Sequence, residues 1–175
     1  MDKYADVFAK NDMDLGNFTA IQHHINTGKA DSQVTKMGRV PLHFADEEEK
    51  HLQQMLNANV IQPSISAWAS ASVFIRKKDG SLRWCIDYRQ VNAVIVKDTY
   101  PLPFLSECLD SLDGNSWYSK LDANSAYCQV PVAKDSQAKT VFRTKFGLYE
   151  SKKLPFGLTN SPATFGRVMA LVLHG

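Results

Sequence analysis

The chain has 175 residues, 20 Lys and Arg against 18 Asp and Glu, with 44% hydrophobic and 22% charged residues. These ordinary globular proportions suit one domain, or one domain and part of another, and exclude a disordered tail, a collagen-like repeat and a highly charged coiled coil. No apolar run approaches the roughly 20 residues that span a bilayer, and Asp2, Lys3, Asp6 and Lys10 interrupt any apolar leader, so neither membrane insertion nor secretion is expected. The net charge of +2 hides an asymmetry: residues 1–60 hold six basic against nine acidic residues, and residues 61–175 hold fourteen against nine. A basic second part suits a polyanionic partner, although solvated basic faces are common.

Residues 1–40 carry turn formers such as Asp14-Leu15-Gly16-Asn17 and Asn26-Thr27-Gly28, and are expected to form an extended lead-in. His23 and His24 are adjacent, a spacing that rarely lets both bind one metal, so they are expected as surface or packing histidines. The first helix is predicted from Asp46, with Asp46 and Glu49 as a capping box and Leu52, Met55 and Leu56 as its apolar stripe. Val73-Phe74-Ile75 and the alternating Leu82, Trp84 and Ile86 predict two strands joined by a tight turn at Asp79-Gly80. Leu102, Leu105, Leu109 and Leu112 predict a second helix that Asp113-Gly114-Asn115 stops. Strands are then expected over 117–122, 140–146 and 148–154, and a last helix from Ser161-Pro162, with Phe165, Val168, Met169 and Val172 on one face. Short strands alternating irregularly with helices argue for an α+β fold. Three widely spaced cysteines, Cys85, Cys108 and Cys128, are expected as reduced, buried thiols of an intracellular protein.

Chemistry is suggested first by Asp122, at the end of an expected strand. A strand-end carboxylate can hold a divalent ion through its hard oxygens, or simply cap a turn. Tyr127, five residues on, reads equally as core. The cluster of Lys77, Lys78 and Arg83 around the hairpin tip is either a phosphate grip or a solvated tip, and Trp68 in Ser66-Ala67-Trp68-Ala69-Ser70 could be an ordinary buried tryptophan.

Taken in order, these motifs resemble those of reverse transcriptases. The run Arg76 to Arg83, followed by Asp87-Tyr88-Arg89-Gln90-Val91-Asn92, is similar to the fingers. Tyr100-Pro101-Leu102-Pro103, Leu121-Asp122 with Tyr127, Gln129-Val130-Pro131-Val132, Leu154-Pro155-Phe156-Gly157-Leu158 and Ser161-Pro162-Ala163-Thr164-Phe165 resemble the palm. The Phe-Gly-Leu form is similar to the Ty3/gypsy class of retrotransposon polyproteins, and Asp14-Leu15-Gly16 with His24-Ile25-Asn26-Thr27-Gly28 looks like the connector into that enzyme.

The resemblance implies a right-hand polymerase fold: a connector over 1–40, mainly fingers over 41–115, and a partial palm with interleaved fingers strands over 116–175. It implies an RNA-directed DNA polymerase in which two Mg²⁺ ions activate a primer 3′-hydroxyl and neutralise the leaving pyrophosphate. Asp122 matches the catalytic, metal-binding aspartate, with the Ala123 carbonyl as a second ligand. Lys77 and Arg83 match the residues that grip the triphosphate of a dNTP. Ser125 and Ala126 match backbone donors to that triphosphate, and Tyr127 matches the aromatic gate that excludes a ribose 2′-hydroxyl. Phe156 and Gly157 match positions that pack the nucleotide and template base, and Trp68 lies in a template-side segment. The implied partners are an RNA or DNA template-primer and dNTP, with no membrane, in the cytoplasm or in virus-like particles.

Ala123-Asn124 departs from the class, which commonly has a larger apolar and a basic residue there. A matching enzyme continues into an aromatic-x-Asp-Asp hairpin, a thumb and an RNase H portion, none of which this sequence contains. Asp87, Asp110 and Asp113 are not expected to replace that pair of carboxylates, so the isolated chain is expected not to polymerise. The incomplete palm is also expected to leave apolar helix surface open to a partner or to self-association. A non-catalytic nucleic-acid-binding remnant of a truncated element and an inert remnant are the alternative readings.

Overall fold

The computed structural model describes residues 7–11, 14–36, 38, 44–76 and 82–174, with the side chains of Leu82 and Arg83 excepted. Chain order begins with helix α1 (Ala45–Asn57), followed by strands β1 (Ile61–Pro63), β2 (Ser70–Arg76) and β3 (Leu82–Asp87). Two short helices, α2 (Arg89–Val94) and α3 (Leu105–Asp110), a 3-10 turn (Ala126–Gln129) and helix α4 (Lys134–Gln137) come next. Strands β4 (Phe142–Thr144) and β5 (Gly147–Ser151) and the long helix α5 (Ser161–His174) complete the chain. The strands form one mixed sheet in the order β1-β5-β4-β2-β3, antiparallel except for the β2/β4 pair. The α+β expectation holds.

The sheet is built from the β-branched and aromatic runs seen in the sequence. Phe74 pairs with Trp84 and Val73 with Cys85, a register that carries Phe74, Trp84 and Phe142 onto the face that α1 covers. Leu52 of α1 packs there against Val60, Ile61 and Phe142. A second cluster joins Ile25, Tyr88, Val91, Ile95 and Leu158, and a third joins Val130, Leu154 and Val168, where α5 docks. The Tyr88 hydroxyl, fully buried, donates to the Thr140 carbonyl at 2.8 Å, and burial pushes its pKa up. Strands β4 and β5 are joined through Lys145-Phe146, and Gly147 has φ +139°, a conformation that side chains rarely adopt.

Several expectations need correction. Helix α1 starts at Ala45 with Phe44 at its N-cap, and no side chain caps it, so Asp46 lies in the first turn and the Asp46–Glu49 capping box does not form. The residues of the expected turn at Asp79-Gly80 lie outside those described, although the strands flanking it pair from Ala71–Asp87 to Arg76–Leu82. Residues 117–122 form no strand. Trp117 is 94% and Leu121 91% exposed, because no described segment pairs with this stretch or covers its apolar side. Helix α3 forms where the leucine spacing and the Asp113-Gly114 stop put it, but Leu105 and Leu109 remain exposed. Glu107 Oε2 accepts the Phe104 N–H at 3.1 Å, so local bonding supports a helix that buries none of its residues. On α5, Ser161 donates its hydroxyl to the Pro155 carbonyl, Val168 is buried, and Val172 is exposed rather than packed with Phe165.

The lead-in is more regular than its turn formers suggested. His23, Ile25 and Thr27 are buried while Gln22, His24 and Asn26 are exposed, a period of two, and His23 bridges in parallel to Val132. His23 is a packing histidine: its Nδ1 lies 2.8 Å from Thr164 Oγ1, and burial first, then His24, lowers its pKa to about 4. All three cysteines are free, but Cys108 is exposed, contrary to the expectation of burial. No helix among the described residues is long and apolar enough to cross a membrane.

One polar residue works against this core. Glu48 of α1 is 0% exposed and neither carboxylate oxygen has a hydrogen-bond partner. Burial raises its pKa, and the Lys145 charge offsets this only in part. A carboxyl whose pKa is higher folded than unfolded makes the fold less stable as pH rises from the ordinary glutamate range through the folded value. Glu48→Met is therefore expected to raise stability at neutral pH by about 1–3 kcal/mol and to flatten that pH dependence, read from urea midpoints across pH. An unchanged pH profile would show that Glu48 is accommodated as a carboxylate.

Candidate functional site

The site is assembled from two loops and strand β3, an edge strand of the sheet. The first follows Asp122. Residues 121–123 carry no regular structure, Asn124-Ser125 turn the chain, and Ser125 takes the left-handed conformation (φ 44°, ψ 47°) before the 3-10 turn that carries Ala126 and Tyr127. The turn is tied down by amides: Asn124 Nδ2 donates to the Asn11 and Asp14 carbonyls, and Gln129 Nε2 donates to the Asn124 carbonyl at 2.8 Å. Asn124, noted in the sequence only as a departure, thus anchors the turn to the N-terminal segment.

The second loop carries Phe156 and Gly157. Gly157 has φ +96°, and a Cβ there would lie 3.5 Å from the Ile86 carbonyl oxygen. Asn92 of α2 clamps this loop from both sides, donating to the Gly157 carbonyl at 2.8 Å and accepting the Thr159 N–H at 2.9 Å. Asn92 ends the Asp87–Asn92 motif, and its part in the site has no signature in the sequence. Asn160 continues the clamp, donating to the Val96 carbonyl and accepting the Asp98 N–H. Asp98 then grips Arg167 of α5 with two contacts of 2.5 and 2.8 Å, which hold its pKa down at about 2.

The two loops meet through aromatic rings. Tyr127 stacks on Phe156 with centroids 4.8 Å apart and planes 24° from parallel, and Phe165 closes on Tyr127 at 5.4 Å. Phe156 is 62% exposed, so this ring pair is both packed and accessible. Burial pushes the Tyr127 hydroxyl pKa up, which keeps it protonated. Behind the loops lies a cavity of about 460 Å³, bounded by Ser125, Phe156 and Gly157 and, from the third element, β3, by Trp84, Cys85 and Ile86. Its walls are largely apolar, and the His51 ring, edge-on to Trp84 at 5.1 Å, has its pKa lowered by burial.

Ser125, Ala126, Tyr127, Phe156 and Gly157 are therefore gathered on adjoining loops. Asp122 and Ala123 precede them on an exposed stretch without regular structure. Lys77 lies outside the described residues, and Arg83 pairs with Ile75 in the β2–β3 ladder. Trp68 packs against the Ile25–Tyr88–Leu158 cluster. Asp87 is held by Arg89, whose hydrogen bonds lower its pKa, and Asp110 and Asp113 sit at the exposed end of α3. Among the described residues no group of three His, Cys, Asp or Glu side chains could hold a metal ion.

Residues 75–175 match the family model described as reverse transcriptase (RNA-dependent DNA polymerase). A retrovirus-related Pol polyprotein from transposon 297 of Drosophila melanogaster is 33% identical over 179 aligned positions, covering 99% of this chain and 17% of that polyprotein. An RNA-directed DNA polymerase homolog of Oenothera berteroana is 45% identical over 94 residues, 54% of this chain and 66% of that protein. The foamy viral protease-reverse transcriptase in complex with an RNA/DNA hybrid superposes with a TM-score of 0.84 at 23% identity, covering 99% of this chain and 23% of that one. The chain thus spans less than a fifth of the transposon polyprotein and about two thirds of the plant protein.

Proposed function

This chain belongs to the reverse transcriptase (RNA-dependent DNA polymerase) family, and on that premise we propose that it forms the fingers and part of the palm of a retrotransposon polymerase of the Ty3/gypsy class. In this reading it binds an RNA or DNA template-primer and seats the incoming dNTP. The observation that carries the proposal is the accessible Tyr127–Phe156 stack, flanked by Ser125 and Gly157 at the cavity edge. An aromatic face of this kind can pack a sugar or base, and a ring beneath the sugar leaves no room for a 2′-hydroxyl. Backbone N–H groups of the Ser125–Ala126 turn serve as donors to phosphate oxygens, and Lys77 and Arg83 supply its counter-charge. The proposed division is mainly fingers over 41–115 and a partial palm with interleaved fingers strands over 116–175; the insertion of β4 and β5 between β1 and β2 supports the interleaving.

Mg²⁺ is the metal this reading implies, and its chemistry would activate the primer hydroxyl. Asp122 and the Ala123 carbonyl offer it one carboxylate and one neutral oxygen. The described residues include no cluster of three potential ligand side chains, so they do not by themselves fit a two-ion site. Chemistry through that site is accordingly expected to need further carboxylates, and the 175-residue chain alone is expected to give no primer extension.

Binding is the property to test. Fluorescence anisotropy with a labelled RNA/DNA primer-template is expected to show an affinity that falls steeply as salt rises, because lysines and arginines displace counterions from phosphates. Lys77→Ala with Arg83→Ala is expected to weaken binding of a dNTP more than binding of the duplex. Salt-independent or undetectable duplex binding would contradict the proposal and favour an inert remnant.

A further inference from the structure

A second recess, of about 420 Å³, opens on the other side of Leu15 and Lys153, which wall both cavities. Its lining brings together Lys134, Lys152 and Lys153 with the carboxamides of Asn17, Gln22, Asn59 and Gln137, and includes no carboxylate. Two of the ammonium groups are held in place by neutral acceptors: Lys152 Nζ donates to Asn59 Oδ1 at 2.5 Å and Lys153 Nζ to Asn17 Oδ1 at 2.6 Å. A carboxamide satisfies a hydrogen bond without cancelling the charge. The acids nearest in sequence are engaged elsewhere, Asp14 by the Lys10 N–H and Asp135 by the Ser136 hydroxyl, with His24 3.9 Å away. Lys153 has its pKa lowered, first by burial and also by the like charge of Lys152.

We propose that this recess binds a small phosphate-bearing anion, such as a free polyphosphate or the polyphosphate tail of a nucleotide. Three cations around a concavity, with carboxamides rather than carboxylates between them, match several adjacent phosphate oxygens. A recess of this volume suits a compact anion, whereas an extended nucleic-acid backbone is served by an open stripe of charge. The lining of this recess includes neither Tyr127 nor Phe156.

Isothermal titration of the 175-residue chain with inorganic tripolyphosphate is the test. One site is expected, weakened roughly tenfold or more in Lys134→Ala/Lys152→Ala. The variant Lys134→Gln/Lys152→Gln, which keeps polar side chains at the rim, is expected to behave alike with an unchanged melting curve. A short oligodeoxythymidylate is expected not to displace the tripolyphosphate. Absent binding, or binding that both double variants retain, overturns the assignment. Displacement by the oligonucleotide, with equal loss of both ligands in the variants, makes the recess a backbone contact and overturns it as well. Tripolyphosphate binding that depends on Lys77 and Arg83 instead belongs to the hairpin, which overturns the recess while leaving the proposed polymerase role standing.

Discussion

Phe142→Ala is expected to lower the unfolding free energy by about 3–5 kcal/mol, a large share of the roughly 5–15 kcal/mol available to a domain of this kind. Phe142 is 0% exposed and sits on β4, the strand that joins β5 to β2 through the middle of the sheet. Its ring meets the edge of Trp84 at 5.4 Å and stacks near Tyr149 at 6.1 Å, and Leu52, Val60 and Ile61 close around it. Truncation leaves a cavity that the flanking strands, hydrogen-bonded on both sides, cannot collapse to fill. Phe142→Leu retains most of the apolar volume and is expected to cost about 1–2 kcal/mol. Urea unfolding measures both. A loss below about 1 kcal/mol for the alanine variant would mean that this face of the sheet is not the principal core.

The second large effect is expected at Tyr127. If its ring lies beneath the sugar of the bound nucleotide, the chain prefers a dNTP to the corresponding ribonucleotide, and Tyr127→Ala abolishes that preference. Discrimination resting on one excluded hydroxyl is worth about 10- to 200-fold, and in Tyr127→Ala the two affinities are expected to become equal. Tyr127→Phe keeps the ring stacked on Phe156 and is expected to keep the preference. Competition binding with paired deoxy- and ribonucleotides reads the ratio, and melting curves separate it from the stability lost with the Phe156 and Phe165 contacts. Preference that survives in Tyr127→Ala would remove the gate from the account.

The elements that were legible in the sequence are those whose signals are local. Val73-Phe74-Ile75 and the Leu82–Ile86 alternation became β2 and β3, and the apolar spacing of Leu52, Met55 and Leu56 became the packed face of α1. Strand character needs a partner, so the alternation over 117–122 produced none where no described segment lies alongside it. The leucines of α3 show the same limit: helical spacing is a local property, and burial depends on what else is present. The lead-in escaped notice for the opposite reason. His23 and Thr27 are polar, so a buried face made of Ile21, His23, Ile25 and Thr27 does not look apolar.

For the site, the family-like order of motifs singled out Ser125, Tyr127, Phe156 and Gly157, and the fold gathers them. It gave no hint of the carboxamide clamps. Asn92 and Asn124 act through backbone carbonyls far away in sequence, and an asparagine facing a distant carbonyl has no signature in spacing. The capping box failed for a related reason: Asp46 and Glu49 have the right types and spacing, but the helix begins two residues earlier than the motif requires.

The central claim is that the Tyr127–Phe156 stack is the floor of a nucleotide site. Photo-crosslinking of an azido-substituted dNTP to the chain bound to a primer-template, followed by peptide mapping, tests this directly. Label is expected to concentrate on the peptides that carry residues 125–129 and 155–158, to be competed away by unlabelled dNTP and to be lost in Tyr127→Ala. Label spread over the surface, or concentrated on a peptide containing neither loop, would contradict it.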